Sequence, residues 1–218
     1  MRTFFITLLA AVLAISPVHG QGAAAAPEMK PSAGPSTLTK EERARAVDYL
    51  TESQTDFVAA IDGLSEEQWK WKAAPDRWSI AETAEHIAFT EDMIWKLVSE
   101  KIMKSPADPE KKEGVKGKEE MIMKMIPDRS RKAQAPEQLR PTGKWTTRAS
   151  LVKDFDATRE AEIAFVKETK EDLRSHFEEH PFLKTMDAYQ WLLFNGAHNK
   201  RHTAQILEVK AEAGFPKN

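Results

Sequence analysis

The chain has no cysteine among its 218 residues. Disulfides, thiolate metal sites, a cysteine nucleophile and a lipoprotein anchor are excluded. A metal site must then be built from His, Asp and Glu, donors that suit zinc, nickel, iron or manganese. An excess charge of one sign is also lacking. Against 32 Lys and Arg stand 34 Asp and Glu, a formal net charge of −2, so the molecule as a whole is no polyanion binder. There is one long apolar run, Phe4 to Ile15, and it is shorter than the roughly 20 residues that a membrane span needs. Strand-like alternation of useful length and internal repeats are missing too. What is present, 41% hydrophobic residues, suffices for one domain with a real core.

The apolar run reads as a targeting signal. Arg2 supplies a positive n-region, and Val18-His19-Gly20 offers small or permissive residues before Gln21. This is the pattern of a secretory signal peptide over residues 1–20, cleaved near Gly20. An exported protein, periplasmic or secreted, is the expectation, with an uncleaved anchor as the alternative. Residues 21–37, rich in Ala, Pro, Gly and Ser, read as a flexible tether. The domain is expected over residues 38–214.

Within it the pattern is helical. Thr39-Lys-Glu-Glu42, Ser65-Glu-Glu-Gln68 and Ser79-Ile-Ala-Glu82 are capping-box starts. Apolar residues at helical spacing predict long helices from about 40 to Gly63, from Ile80 to about Met103, from Thr146 or Thr147 to about Ser175, and from Met186 to Ala213. Between the second and third lies a long, Pro- and Gly-rich connection, residues 104–145, with one short helix expected around Glu119–Met125. Over Lys101–Lys153 it carries 14 Lys and Arg against 7 Asp and Glu. Without interleaved aromatics this reads as a solvated surface, so no nucleic-acid partner is expected. Four long amphipathic helices make an all-α, four-helix bundle. The long connection would allow the second and third helices to run parallel.

The strongest chemical signal is His198-Asn-Lys-Arg-His202-Thr-Ala-Gln205. Residues four apart share one helix face, so two imidazoles there can converge on one metal ion. A third ligand must come from another helix, and His86 is the candidate, in a stretch otherwise apolar or small. Trp191, Asn195 and Gln205 share the helical stripe of the pair and suit a cavity wall. Glu82, one turn before His86, suits either an orienting role or the capping of Ser79. Spacing alone leaves open that these are ordinary satisfied or surface histidines. His176 and His180, also four apart, read as a solvated helix end, because Pro181 follows and Glu178 and Glu179 intervene. The six tryptophans read as core and staple packing, Trp191 excepted.

Three pieces together, Trp78-Ser-Ile-Ala-Glu-Thr-Ala-Glu-His86-Ile, His180-Pro-Phe, and Tyr189 to Ile206 with its closing histidine pair, resemble the DinB/YfiT-like superfamily over roughly residues 40–213. The resemblance implies a bundle holding a divalent metal (zinc, nickel or iron) with His86, His198 and His202. A three-histidine site keeps an open coordination position, as catalytic sites do. The activities implied are a metal-dependent hydrolase or a thiol S-transferase; a non-catalytic metal or small-ligand module and a structural scaffold are the alternatives. Export counts against the thiol chemistry. The expected partner is a small molecule, with no membrane span in the mature protein and a homodimer compatible with the bundle.

Overall fold

The computed structural model describes residues 38–130 and 134–217. The expected signal peptide and the tether, residues 1–37, lie outside the described residues. Side-chain caps start the helices. Thr39 and Glu42 exchange hydrogen bonds at the head of α1 (Lys40–Ile61). The same reciprocal device opens α2 (Glu66–Lys70), α3 (Ile80–Lys96) and α7 (Ala188–Lys210) through Ser65/Gln68, Ser79/Glu82 and Asp187/Gln190. Each such cap contributes about 1 kcal/mol. Thr147 caps α6 (Arg148–Glu168) by accepting from Ser150 N. A π-helical turn, Leu97–Ile102, prolongs α3 to the expected end of the second helix. The connection that follows carries α4 (Lys112–Val115), α5 (Lys118–Met125) and a 3₁₀ turn at Glu137–Leu139.

One region departs from expectation. The third helix stops at Glu168, not near Ser175, and an antiparallel hairpin follows: β1 (Phe177–His180) and β2 (Lys184–Asp187), in register from Phe177↔Asp187 to His180↔Lys184. Asp172 diverts the chain by accepting from Arg174 N and from the Ser175 hydroxyl, a local bond that competes with continued helix. Lys184 closes the hairpin at a φ of 62°. Arg174 then ties the corner together, pairing with Glu42, Glu119 and Asp187 and lying 4.3 Å from the Tyr189 ring.

The four long helices pack so that α1 and α3 each sit between α6 and α7. Two apolar layers enclose a polar one. Along α1 the order is Ala46 and Leu50, then Ser53, then Phe57 and Ile61; α7 repeats it with Tyr189 and Leu193, then Asn195 and Asn199, then Ile206 and Val209. The order is reversed in α3 and the π-helical turn that prolongs it, with Ile80 and Ile87, then Glu91, then Ile94 and Val98. It is likewise reversed in α6, with Leu151 and Phe155, then Arg159 and Glu162, then Val166. Hence α3 and α6 run parallel to each other and antiparallel to α1 and α7, and the long connection travels the length of the bundle. At the contact of α7 with α1 stands Gly196, at which a Cβ would lie 3.0 Å from the Tyr49 ring and 3.3 Å from Leu50.

In the polar layer the Arg159 guanidinium donates to Glu91 Oε2 at 2.5 Å, Ser53 Oγ at 3.1 Å and the Leu50 carbonyl at 3.4 Å, with its Nε 3.5 Å from Glu162 Oε2. These three charged side chains are 0–1% exposed. Burial pushes the Glu162 carboxyl well above the usual carboxylate range; Arg159 opposes this and the neighbouring Glu91 adds to it.

Candidate metal centre

Because α3 and α7 pack antiparallel, His86 on the first meets His198 and His202 on the second. The α7 pair shares one helical face, with ring centroids 4.4 Å apart. His86 lies 5.0 Å from His198 and 4.5 Å from His202, centroid to centroid. Its Nε2 is 3.2 Å from His198 Nε2. Two nitrogens bound to one tetrahedral zinc at the usual bond length stand about 3.3 Å apart. One nitrogen from each ring falls within 4.8 Å of the other two, and among the described residues this is the one such group of three or more candidate ligands.

Hydrogen bonds outside the cluster set which nitrogen His86 and His202 present. His86 Nδ1 is 2.7 Å from the Leu139 carbonyl oxygen, which can only accept, so the proton sits on Nδ1 and the Nε2 lone pair faces the cluster. His202 Nδ1 is 3.0 Å from Gln205 Oε1. That oxygen also accepts from Arg129 Nη1 at 3.2 Å, and a guanidinium only donates, which fixes the orientation of the amide. His202 therefore also offers Nε2. Such outer contacts orient metal-binding histidines and hold their tautomer.

The electrostatics agree. Burial lowers the His86 pKa against a smaller opposing effect of the Leu139 bond. Burial, then the neighbouring His202 and His86, push His198 well below the ordinary value. Burial and His86 bring His202 down to about 3. All three are neutral imidazoles near neutral pH, the form that binds metals. His86 is buried, whereas His198 and His202 keep some accessible surface, which leaves the group approachable from one side.

The other residues singled out from the sequence divide. Gln205 joins the centre through His202. Glu82 does not: its carboxylate accepts from Ser79 N and Lys72 Nζ, both at 2.8 Å, so helix capping and a surface ion pair take it up. Asn195 faces the bundle interior, where its Nδ2 donates to Glu162 at 3.3 Å, and is part of the polar layer instead of a cavity wall. Trp191 packs on His180 and Phe194, and Phe194 on His198, so it reaches the centre at one remove.

Trp78, which the sequence reads as packing, sits 5.2 Å from His86. Other participants carry no signal in the sequence. The basic-looking connection supplies Leu139 and Arg129. It is pinned to α3 by Glu85, whose carboxylate accepts from the backbone N–H groups of Thr142, Gly143 and Lys144 at 2.7–3.1 Å. Burial alone would raise that carboxyl, but these bonds hold it below the usual range. Its cationic excess is partly absorbed by ion pairs, among them Lys112–Asp172 and Arg129–Glu208. His180 is half-buried on β1 against aromatic rings, not at a solvated helix end.

A crossover bundle with three histidines converging from two of its helices defines a class of helical proteins with a metal-binding geometry in the bundle wall. Residues 49–206 match the sequence model of the DinB superfamily, and the chain belongs to that superfamily. It is 28% identical over 161 residues to YuaE of Bacillus subtilis (strain 168), an uncharacterized protein, covering 74% of this chain and 94% of that one. Its fold is similar to that of YfiT from Bacillus subtilis, a probable metal-dependent hydrolase with an unusual four-helix bundle topology. The TM-score is 0.54 at 14% identity, over 87% of this chain and 95% of YfiT.

Proposed function

We propose that the chain binds one divalent metal ion through Nε2 of His86, His198 and His202 and is a hydrolase of small substrates, acting after export. The observation that carries the reading is the convergence of three neutral imidazoles, each with one nitrogen within 4.8 Å of the other two. The hydrolase chemistry is supported by the likeness to YfiT, itself described in those terms. Export is supported by the signal-like residues 1–20, and hydrolysis needs only water as co-substrate.

The donor set fits zinc, nickel or iron, for which imidazole is a good ligand. A divalent ion held there would supply a Lewis acid that polarises a substrate carbonyl and acidifies water. The chain's own part is positional. Leu139 keeps His86 in one tautomer and Gln205 does so for His202. Arg129, paired with Glu208 at 2.7 Å, holds Gln205. The accessible edges of His198 and His202 leave room for a small molecule on the solvent side.

The test is elemental analysis of untagged protein with the variants His86→Ala and His202→Ala. One metal per chain is expected in the wild type. Loss beyond the roughly 10- to 100-fold that outer contacts cost is expected in either variant. Stoichiometric metal retained in both variants would refute the assignment. An esterase and amidase panel on the loaded protein then tests hydrolysis, and a wholly negative panel with metal bound would leave a binding module.

A further inference from the structure

His86 and His198 each begin a stripe that does not end at the metal centre. On α3, Phe89 and Met93 follow His86 at three and seven residues, so they lie along its face. On α7, Phe194 and Trp191 precede His198 at four and seven. As the two helices are antiparallel, both stripes lead in the same direction, toward the β1–β2 hairpin. Phe89 and Met93 are each 38% exposed, and Phe182 at the hairpin tip is 88% exposed. Large apolar groups that reach solvent in line with a candidate metal site mark a ligand groove more often than chance exposure does.

His180 stands across the Phe194 ring from His198. Its ring packs on Phe194 at 4.7 Å, Trp191 at 5.4 Å and Phe182 at 6.1 Å. Phe194 in turn packs on His198 at 6.1 Å, so the two histidines share one aromatic wall. The backbone N–H groups of Phe182 and Leu183 both donate to His180 Nδ1, at 3.2 and 3.1 Å. A nitrogen that accepts is unprotonated, so the ring's proton is on Nε2. Among the described residues Nε2–H has no acceptor. The indole N–H of Trp191 is directed at the Glu178 carbonyl, 3.4 Å away, and the indole itself is buried behind Phe194 and His180. The His180 ring is close enough to act electrostatically on His198, and burial holds its own pKa below the ordinary histidine value.

We propose that His180 is a substrate-binding residue of this centre: its Nε2–H hydrogen-bonds an oxygen of a carbonyl compound whose flat apolar substituent lies along the exposed Phe89 and Met93. The proposal rests on the three-histidine metal reading above and adds to it the class of substrate, an ester or amide with an apolar, preferably aromatic, flank. A small polar substrate would leave Phe89 and Met93 uncovered.

The probes are benzohydroxamate and acetohydroxamate, which share a metal-binding head and differ in their flank. Their affinities for the zinc-loaded full chain are measured by titration calorimetry, and zinc affinity is measured separately by chelator competition. The variant His180→Asn removes the ring and its outward donor but keeps a side-chain oxygen able to accept from the turn; thermal melting checks its fold. Phe89→Ser changes only the exposed flank. Wild type should bind benzohydroxamate at least about tenfold more tightly than acetohydroxamate. His180→Asn should weaken both by about 3- to 10-fold, the net worth of a hydrogen bond, at unchanged zinc affinity. Phe89→Ser should weaken benzohydroxamate alone. Equal hydroxamate affinities in wild type and His180→Asn overturn the proposal and leave the metal reading intact. Loss of zinc from His180→Asn overturns it by making His180 a ligand. Failure of the wild type to bind zinc overturns the metal reading itself, and this proposal with it.

Discussion

Replacing Arg159 by methionine removes the cation from a layer where nothing else can neutralise Glu91 and Glu162. Arg159 and Glu162 are fully buried and Glu91 is 1% exposed. Breaking a buried ion pair from one side costs about 3–5 kcal/mol, since the stranded charge loses its partner and has no water. For a domain of this size that is a fall of about 6–20 °C in Tm, at 2–4 °C per kcal/mol. The stranded pair must take up a proton to remain inside, so its cost depends on pH. A carboxyl raised in the folded state leaves stability intact below its unfolded pKa and erodes it as pH rises toward the folded value, by about 1.4 kcal/mol per pH unit. Urea unfolding of wild type and Arg159→Met at pH 5, 6, 7 and 8 should therefore show a difference that widens with pH. The companion Glu162→Gln, which mimics the protonated acid, should stay within about 1 kcal/mol of wild type. A pH-independent loss below about 1 kcal/mol for Arg159→Met would refute the reasoning.

Two further perturbations probe the connection and the helix contact. Glu85→Gln replaces a charged acceptor of several N–H bonds by a neutral one, and should cost about 1–2 kcal/mol at pH 7, with faster hydrogen exchange at residues 142–144. The carboxyl is held low in the folded protein, so its contribution is fully present above the usual carboxylate pKa and is lost as pH falls through the folded value. The two proteins should converge in acid, and a constant gap from pH 3 to 7 would contradict this origin. Gly196→Ala gains about 1 kcal/mol of helix propensity but must displace Tyr49 and Leu50, a cost of about 1–3 kcal/mol in a packed core. A Tm lowered by a few degrees is expected; a rise would show that α1 and α7 can part.

What could be read in advance depended on side chains that act locally. The capping boxes at Thr39, Ser65 and Ser79 start helices where their spacing says, because both partners lie within one turn. The His198/His202 pair is likewise a matter of one helical turn. His86 was harder: nothing in its own segment says what it faces across the bundle, and family resemblance supplied the link. Asn195 is ambiguous in the sequence because its helical stripe borders both the histidines and the polar layer, and only its bond to Glu162 places it in the second. The hairpin carries no sequence signal, because its four-residue strands hold Glu178, Glu179 and Lys184 and show no alternation. The surroundings of His180 are equally illegible, being contributed by Trp191 and Phe194 of α7.

The connection between α3 and α6 meets the centre largely through its main chain, with the Leu139 carbonyl on His86 and the N–H groups of residues 142–144 on Glu85. Every residue type except proline carries those N–H groups, and every residue type carries the carbonyl. Point substitutions at Leu139 or Lys144 can thus leave the contacts in place, while removing one residue from the segment would shift all of them out of reach at once. The centre is buffered against spelling changes in this stretch and exposed to changes in its length.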